Sequence, residues 1–134
     1  MKNKALLTSM RMAVALGIFL PLAETVRRIH EVLAFENFFR WFDDYILGAV
    51  LLYAAFLVWK QKHNATLYLI AAWGAAVGGL TLSLYGQFDG YFKNNPDAGI
   101  FSSGFVLIAK ALILFYILIG LQKSIQSTNT NFTT

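Results

Sequence analysis

Residues 101–121 read FSSGFVLIAKALILFYILIGL, an apolar run broken near its centre by a single charge, Lys110. A helix rises about 1.5 Å per residue, so the stretch from Ile100 to Leu121 spans about 30 Å, the thickness of the hydrocarbon in a bilayer. A buried helix in a water-soluble protein can also be apolar all round, and the composition decides between the two. With 57% hydrophobic and 13% charged side chains over 134 residues, the chain has too little polar surface to cover a soluble domain of its size.

Three more stretches have the length and character of spans: Leu67 to Gln87, Trp41 to Trp59, and the shorter Met10 to Val26, which Arg11, Pro21 and Glu24 interrupt. The same interruptions argue against a cleaved signal peptide, despite Lys2 and Lys4 at the start. The first span gains length if the helix continues toward Leu33, with Arg27 and Arg28 snorkelling toward headgroups. Asp43 and Asp44 open the second span at the positive end of its helix dipole, and Trp41 and Trp59 fall where interfacial aromatics belong.

The predicted fold is therefore an all-α membrane protein, a bundle of four transmembrane helices within residues 1–121. Between the first two spans, RRIHEVLAFENFFRWFDD interleaves apolar residues with Arg28, Glu31, Glu36 and Arg40, which predicts either an amphipathic interfacial segment or a helical extension of a neighbouring span. KQKHN, residues 60–64, is short enough for an antiparallel hairpin, and Asn94-Asn95-Pro96-Asp97 is a turn signal. The Ser-, Thr- and Asn-rich residues 122–134 form a polar tail expected to be disordered.

Lys2, Lys4, Arg11, Lys60, Lys62 and Lys123 flank one side and Arg27, Arg28, Arg40 and Lys93 the other. That bias predicts both termini in the cytoplasm, and the location expected is a bacterial cytoplasmic (inner) membrane. The basic residues form no continuous face, so the +4 charge does not point to nucleic acid.

Lys110 is the most informative residue for function. It lies about 15 Å from Ile100 by helix rise, and a Lys at that depth costs between about 2.5 and more than 10 kcal/mol unless it meets a partner or a wet cavity. Glu24 is the expected partner, with Asp43 and Asp44 as second choices. Such a pair either breaks and remakes during transport or fixes helix register. Thr81 and Tyr85 share a helix face and are expected to add hydroxyls to this polar centre.

In the third span, Ala71, Gly74, Ala75 and Gly78 repeat small residues at a spacing of four, a seam for close helix packing within the protomer or between copies. His30 and His63 fall on opposite sides of the membrane and cannot bracket one haem. The chain has no cysteine, and no cofactor, metal site or catalytic motif is expected. His30, with Arg27, Arg28, Asp43 and Asp44, is expected among the interfacial charges.

The helix count, Glu24 within Ala23-Glu24-Thr25 and Trp73 in the third span resemble the small multidrug resistance transporters. That resemblance implies a dimer exchanging protons for cationic solutes at the first-helix Glu. The sequence departs from that pattern at Arg27, Arg28 and Lys110, and membership does not follow from two positions. Two functions are expected: a homo-oligomeric transporter or channel for a small solute or ion, or a non-catalytic subunit of a larger membrane complex.

Overall fold

The computed structural model describes residues 3–94 and 100–129. It contains five helices, α1 (Lys4–Arg27), α2 (Ile29–Ala34), α3 (Phe38–Trp59), α4 (Ala65–Phe92) and α5 (Ser103–Asn129), and no strand among the described residues. The four long ones are each long and apolar enough to cross a membrane, and the chain is an integral membrane protein built as a four-helix bundle. α1 packs against α3 and α5, and α4 packs against the same two, so α1 and α4 stand on a diagonal.

All four long helices are longer than the spans expected from the sequence. α1 begins where the Asn3 side chain accepts from the Ala5 amide at 3.0 Å, an N-cap that satisfies one orphan donor. It then runs through Pro21 without ending. Proline removes the hydrogen bond to the Gly17 carbonyl, and that carbonyl abuts Gly48 of α3: a Cβ on Gly48 would lie 2.7 Å from it and 2.8 Å from Cγ of Pro21. The missing side chain at Gly48 thus lets α3 close over the proline.

The helix stops at Arg27, and α2 follows as a short separate piece, so the expected continuation toward Leu33 is broken at Arg28. α2 ends at Phe35, whose φ of 54° turns the chain toward α3. Ile29, Leu33, Phe35 and Phe39 are exposed here and form an outward apolar face between the first two long helices. Trp41, in contrast, is buried among Phe35, Phe38 and Tyr45 and donates to the Glu36 carbonyl at 2.9 Å, whereas Trp59 is exposed with the Lys60 ammonium 4.6 Å from its ring. Lys60 to Asn64 form the α3–α4 hairpin, with positive φ at Gln61 and Asn64.

The interior is made of Ala13, Leu16 and Leu20 of α1, Leu51 and Ala55 of α3, Leu69, Ala72, Trp73, Ala76 and Leu80 of α4, and Ile117 of α5. Its small residues let backbones approach, which is how helices associate where apolar burial gives little drive. The seam of Ala71, Gly74, Ala75 and Gly78 is not part of this packing: all four are exposed, and a Cβ at either glycine would meet nothing within 4 Å. Larger inward residues one and two positions away, Leu69, Trp73 and Leu80, set the rotation of α4 and turn the seam outward.

The polar tail expected from Gln122 onward is corrected up to Asn129, because α5 continues that far with Ser124 and Ser127 buried against the start of α1. Lys2, residues 95–97 of the expected turn and residues 130–134 of the tail lie outside the described residues.

Candidate functional site

Polar side chains gather at both ends of the bundle. At the end shared by the N-terminus of α1 and the C-terminus of α5, Ser9 is the centre. Its Oγ accepts from Nε1 of Trp73 at 2.8 Å, lies 2.6 Å from Oγ of Ser124 and donates to the Gly120 carbonyl at 2.9 Å. Ser127 donates to the Ser124 carbonyl at 2.6 Å, and the Asn3 amide donates to the Ser127 carbonyl at 3.0 Å. Trp73 is fully buried against Gly120, where any side chain would collide with the indole. Small hydroxyls, one indole N–H and backbone carbonyls satisfy one another without a formal charge, as buried polar groups must.

At the other end the polar groups are charged. Glu24 accepts two bonds from Arg27, Nε to Oε2 at 2.8 Å and Nη2 to Oε1 at 2.7 Å, and a third from Nε of Arg28 at 2.7 Å. Arg28 also donates from Nη1 to Glu31 at 3.1 Å. The spacings of three and four residues stack these side chains over the last turn of α1, and the bidentate fork of Arg27 is the strongest form of such a contact. Glu24 and Arg28 are each only 3% exposed. The backbone N–H of Ile100 donates to the Arg27 carbonyl at 3.2 Å and ties the segment before α5 to this turn.

Lys110 is not paired with Glu24. Its Nζ donates to Oγ of Ser83 on α4 at 2.6 Å. One turn on, Nε2 of Gln87 reaches Oγ of Ser103 at 3.4 Å. Lys110, Glu24, Arg27 and Asp44 nevertheless line one cavity of about 430 Å³, whose other walls include Phe19, Leu22 and Val26 of α1 and Phe105 and Ala109 of α5. Asp44 is half-buried, its carboxylate without a hydrogen-bond donor among the described residues, and its backbone N–H donates to Oδ1 of Asp43 at 2.9 Å.

The remaining expected site residues lie elsewhere. Thr81 is exposed and donates back to the Val77 carbonyl at 2.6 Å, and Tyr85 is 74% exposed, so neither joins the polar centre. The inward stripe Leu69, Trp73, Ala76 and Leu80 continues at helical spacing to Ser83 and Gln87, and the expected pair lies off that stripe. Following the stripe instead of the hydroxyls would have found Ser83. Asp43 and His30 are exposed, while Arg27 and Arg28 turn inward to Glu24 instead of snorkelling outward. Thr25 bonds Tyr45 and donates to the Pro21 carbonyl at 2.7 Å, linking α1 to α3 beside the cavity.

No group of three or more metal-ligating side chains occurs among the described residues. The two positions shared with the small multidrug resistance transporters are far apart in role: Glu24 is held by two guanidinium groups, and Trp73 is sealed in the opposite end. No family model, no curated protein and no solved structure matches the chain.

Proposed function

We propose that the chain is a small membrane transporter or channel whose solute site is the cavity between α1 and α5, with Lys110 and Asp44 as the groups that meet the solute. One observation carries this reading: an ammonium and a carboxylate face the same cavity within the span and form no ion pair with each other among the described residues. Charges held at such depth are costly and belong where a solute, ion or proton uses them. Glu24 serves as a positioning residue, fixing Arg27 and Arg28 at the rim. The protein works as a homo-oligomer in a cytoplasmic membrane, with both termini on the cytoplasmic side.

The test is permeation in proteoliposomes, read by osmotic swelling with glycerol and urea and by an entrapped pH dye for protons. Permeation above that of empty liposomes, abolished in Lys110→Met, is expected. Absence of permeation for all three would overturn the proposal.

A second reading has its own support. The exposed small-residue seam of α4, Ala71, Gly74, Ala75 and Gly78, has the form of a docking face for another helix. On this reading the chain is a non-catalytic subunit of a larger membrane complex. Isolation of the intact assembly from its native membrane separates the two, since a larger unrelated membrane protein at fixed stoichiometry supports only the second.

A further inference from the structure

We infer that the cavity takes a net-neutral, hydroxyl-bearing lipid that enters sideways from the bilayer, with its head between Lys110 and Asp44 and its chain along the α1–α5 seam. This rests on the reading of the cavity as a binding site between α1 and α5 and names the class of molecule that occupies it.

The walls show the route of entry. Leu22, Val26 and Phe105 line the cavity, yet each also stands more than half exposed on the outside of the bundle. In a membrane that outside is lipid, so the mouth between α1 and α5 opens into the bilayer. Toward the end of α1, the Ile100 to Arg27 backbone bond and the buried Arg27 close the same gap. A molecule already dissolved in the bilayer has the direct path.

The seam shows where an apolar chain fits. A second cavity, also about 430 Å³, is lined by Ala15, Leu16, Phe19, Leu112, Ile113 and Tyr116. It shares Phe19 and Ile113 with the first, so the two form one groove along α1 and α5. From Lys110 to Tyr116 the groove extends about 9 Å along the helix axis. The Tyr116 hydroxyl is engaged by the Met12 carbonyl at 3.1 Å, which leaves its ring to face the groove.

The charges show the head. Among the charged residues that line the cavity, the carboxylates of Glu24 and Asp44 match in number the cations Arg27 and Lys110. A proton passing from Lys110 to Asp44 leaves that sum unchanged. A charged head would upset the balance inside the hydrocarbon, where an uncompensated charge is costly. The Lys110 ammonium has three donors and Ser83 takes one, while ionised Asp44 can only accept. A hydroxyl or diol that accepts from Lys110 and donates to Asp44 completes both.

Native mass spectrometry on the full chain in detergent, with 1-monooleoylglycerol, oleate, oleylamine and a short-chain quinol as probes, tests the inference. One monooleoylglycerol retained per chain is expected, weakened at least about tenfold by Lys110→Met, the loss of one hydrogen bond to a charged group, and weakened less by Asp44→Asn, which keeps an amide oxygen as acceptor. Ala109→Phe, which fills the mouth and leaves both charges in place, is expected to abolish retention, and it keeps the test decisive if a charge variant fails to fold. Preference for the quinol supports the same class with an aromatic diol as its source. Tighter retention of oleate or oleylamine would overturn the neutral head, and equal retention of all probes in all variants would overturn the site. No retention of any probe, together with solute permeation in the swelling assay, would sink this inference and leave the transport reading standing. Retention of monooleoylglycerol without permeation would do the reverse.

Discussion

At the Ser9 end of the bundle the buried polar side chains are small, uncharged and bonded to one another, whereas at the Glu24 end carboxylates, guanidinium groups and an ammonium converge around a cavity. Both ends bury polar atoms in an apolar setting, so burial alone does not distinguish them. What differs is completion. The indole and hydroxyls around Ser9 have partners, and the indole fills the place that a side chain at Gly120 would take, which is the behaviour of a structural clasp. Lys110 and Asp44 retain bonding capacity and face a volume within the roughly 300–1,000 Å³ typical of small-molecule sites. The contrast predicts that changes at the first end unfold the protein and changes at the second silence it.

The largest effect on stability is expected from Trp73→Ala, which empties the clasp and its contact with Gly120. A loss of about 3–5 kcal/mol follows from truncating a buried Trp, measured as the thermal midpoint of the detergent-purified protein. Glu24→Ala removes the acceptor shared by Arg27 and Arg28 and should cost about 3 kcal/mol. Glu24→Gln, which keeps one carbonyl acceptor, should cost less in the same assay. This pair sharpens the comparison, because it separates the structural part of the charged end from Lys110 and Asp44. Ser9→Ala leaves the Trp73 N–H without its acceptor and is expected to cost about 1–3 kcal/mol while permeation persists. Gly78→Leu should be smallest, within about 0.5 kcal/mol for the protomer, since open space surrounds that position. If the outward seam joins two copies, the same variant shifts the mass of the assembly to the monomer.

The bundle was legible in the sequence because a span is set by length and apolarity, which 101–121 and its three counterparts display openly. The site was legible only in part. Lys110 stands out in an apolar run whatever its neighbours are, but its partner depends on helix rotation. α4 turns by its bulky residues, Leu69, Trp73 and Leu80, so Ser83 faces in while Thr81 and Tyr85 face out. Counting hydroxyls at a shared spacing missed that order of size. The glycine seam misled for the same reason: Gly74 and Gly78 form the more regular pattern, while Gly17 with Gly48 and Gly120 with Trp73 make the contacts. Single small residues on different helices carry no joint signal in one chain. Ser124 and Ser127 were hidden too, because a serine-rich end resembles a disordered tail until α1 is seen to pack against it.

Lys110→Met separates a cavity that works from a Ser9 clasp that only holds. The variant should be measured for thermal stability and for solute permeation in the same proteoliposomes. We predict a loss of stability smaller than that of Trp73→Ala, since Lys110 gives up one hydrogen bond to Ser83 and no ion pair with a described carboxylate, and permeation reduced to that of empty liposomes. A fall in stability matching Trp73→Ala, or permeation left intact in the folded variant, would contradict the account.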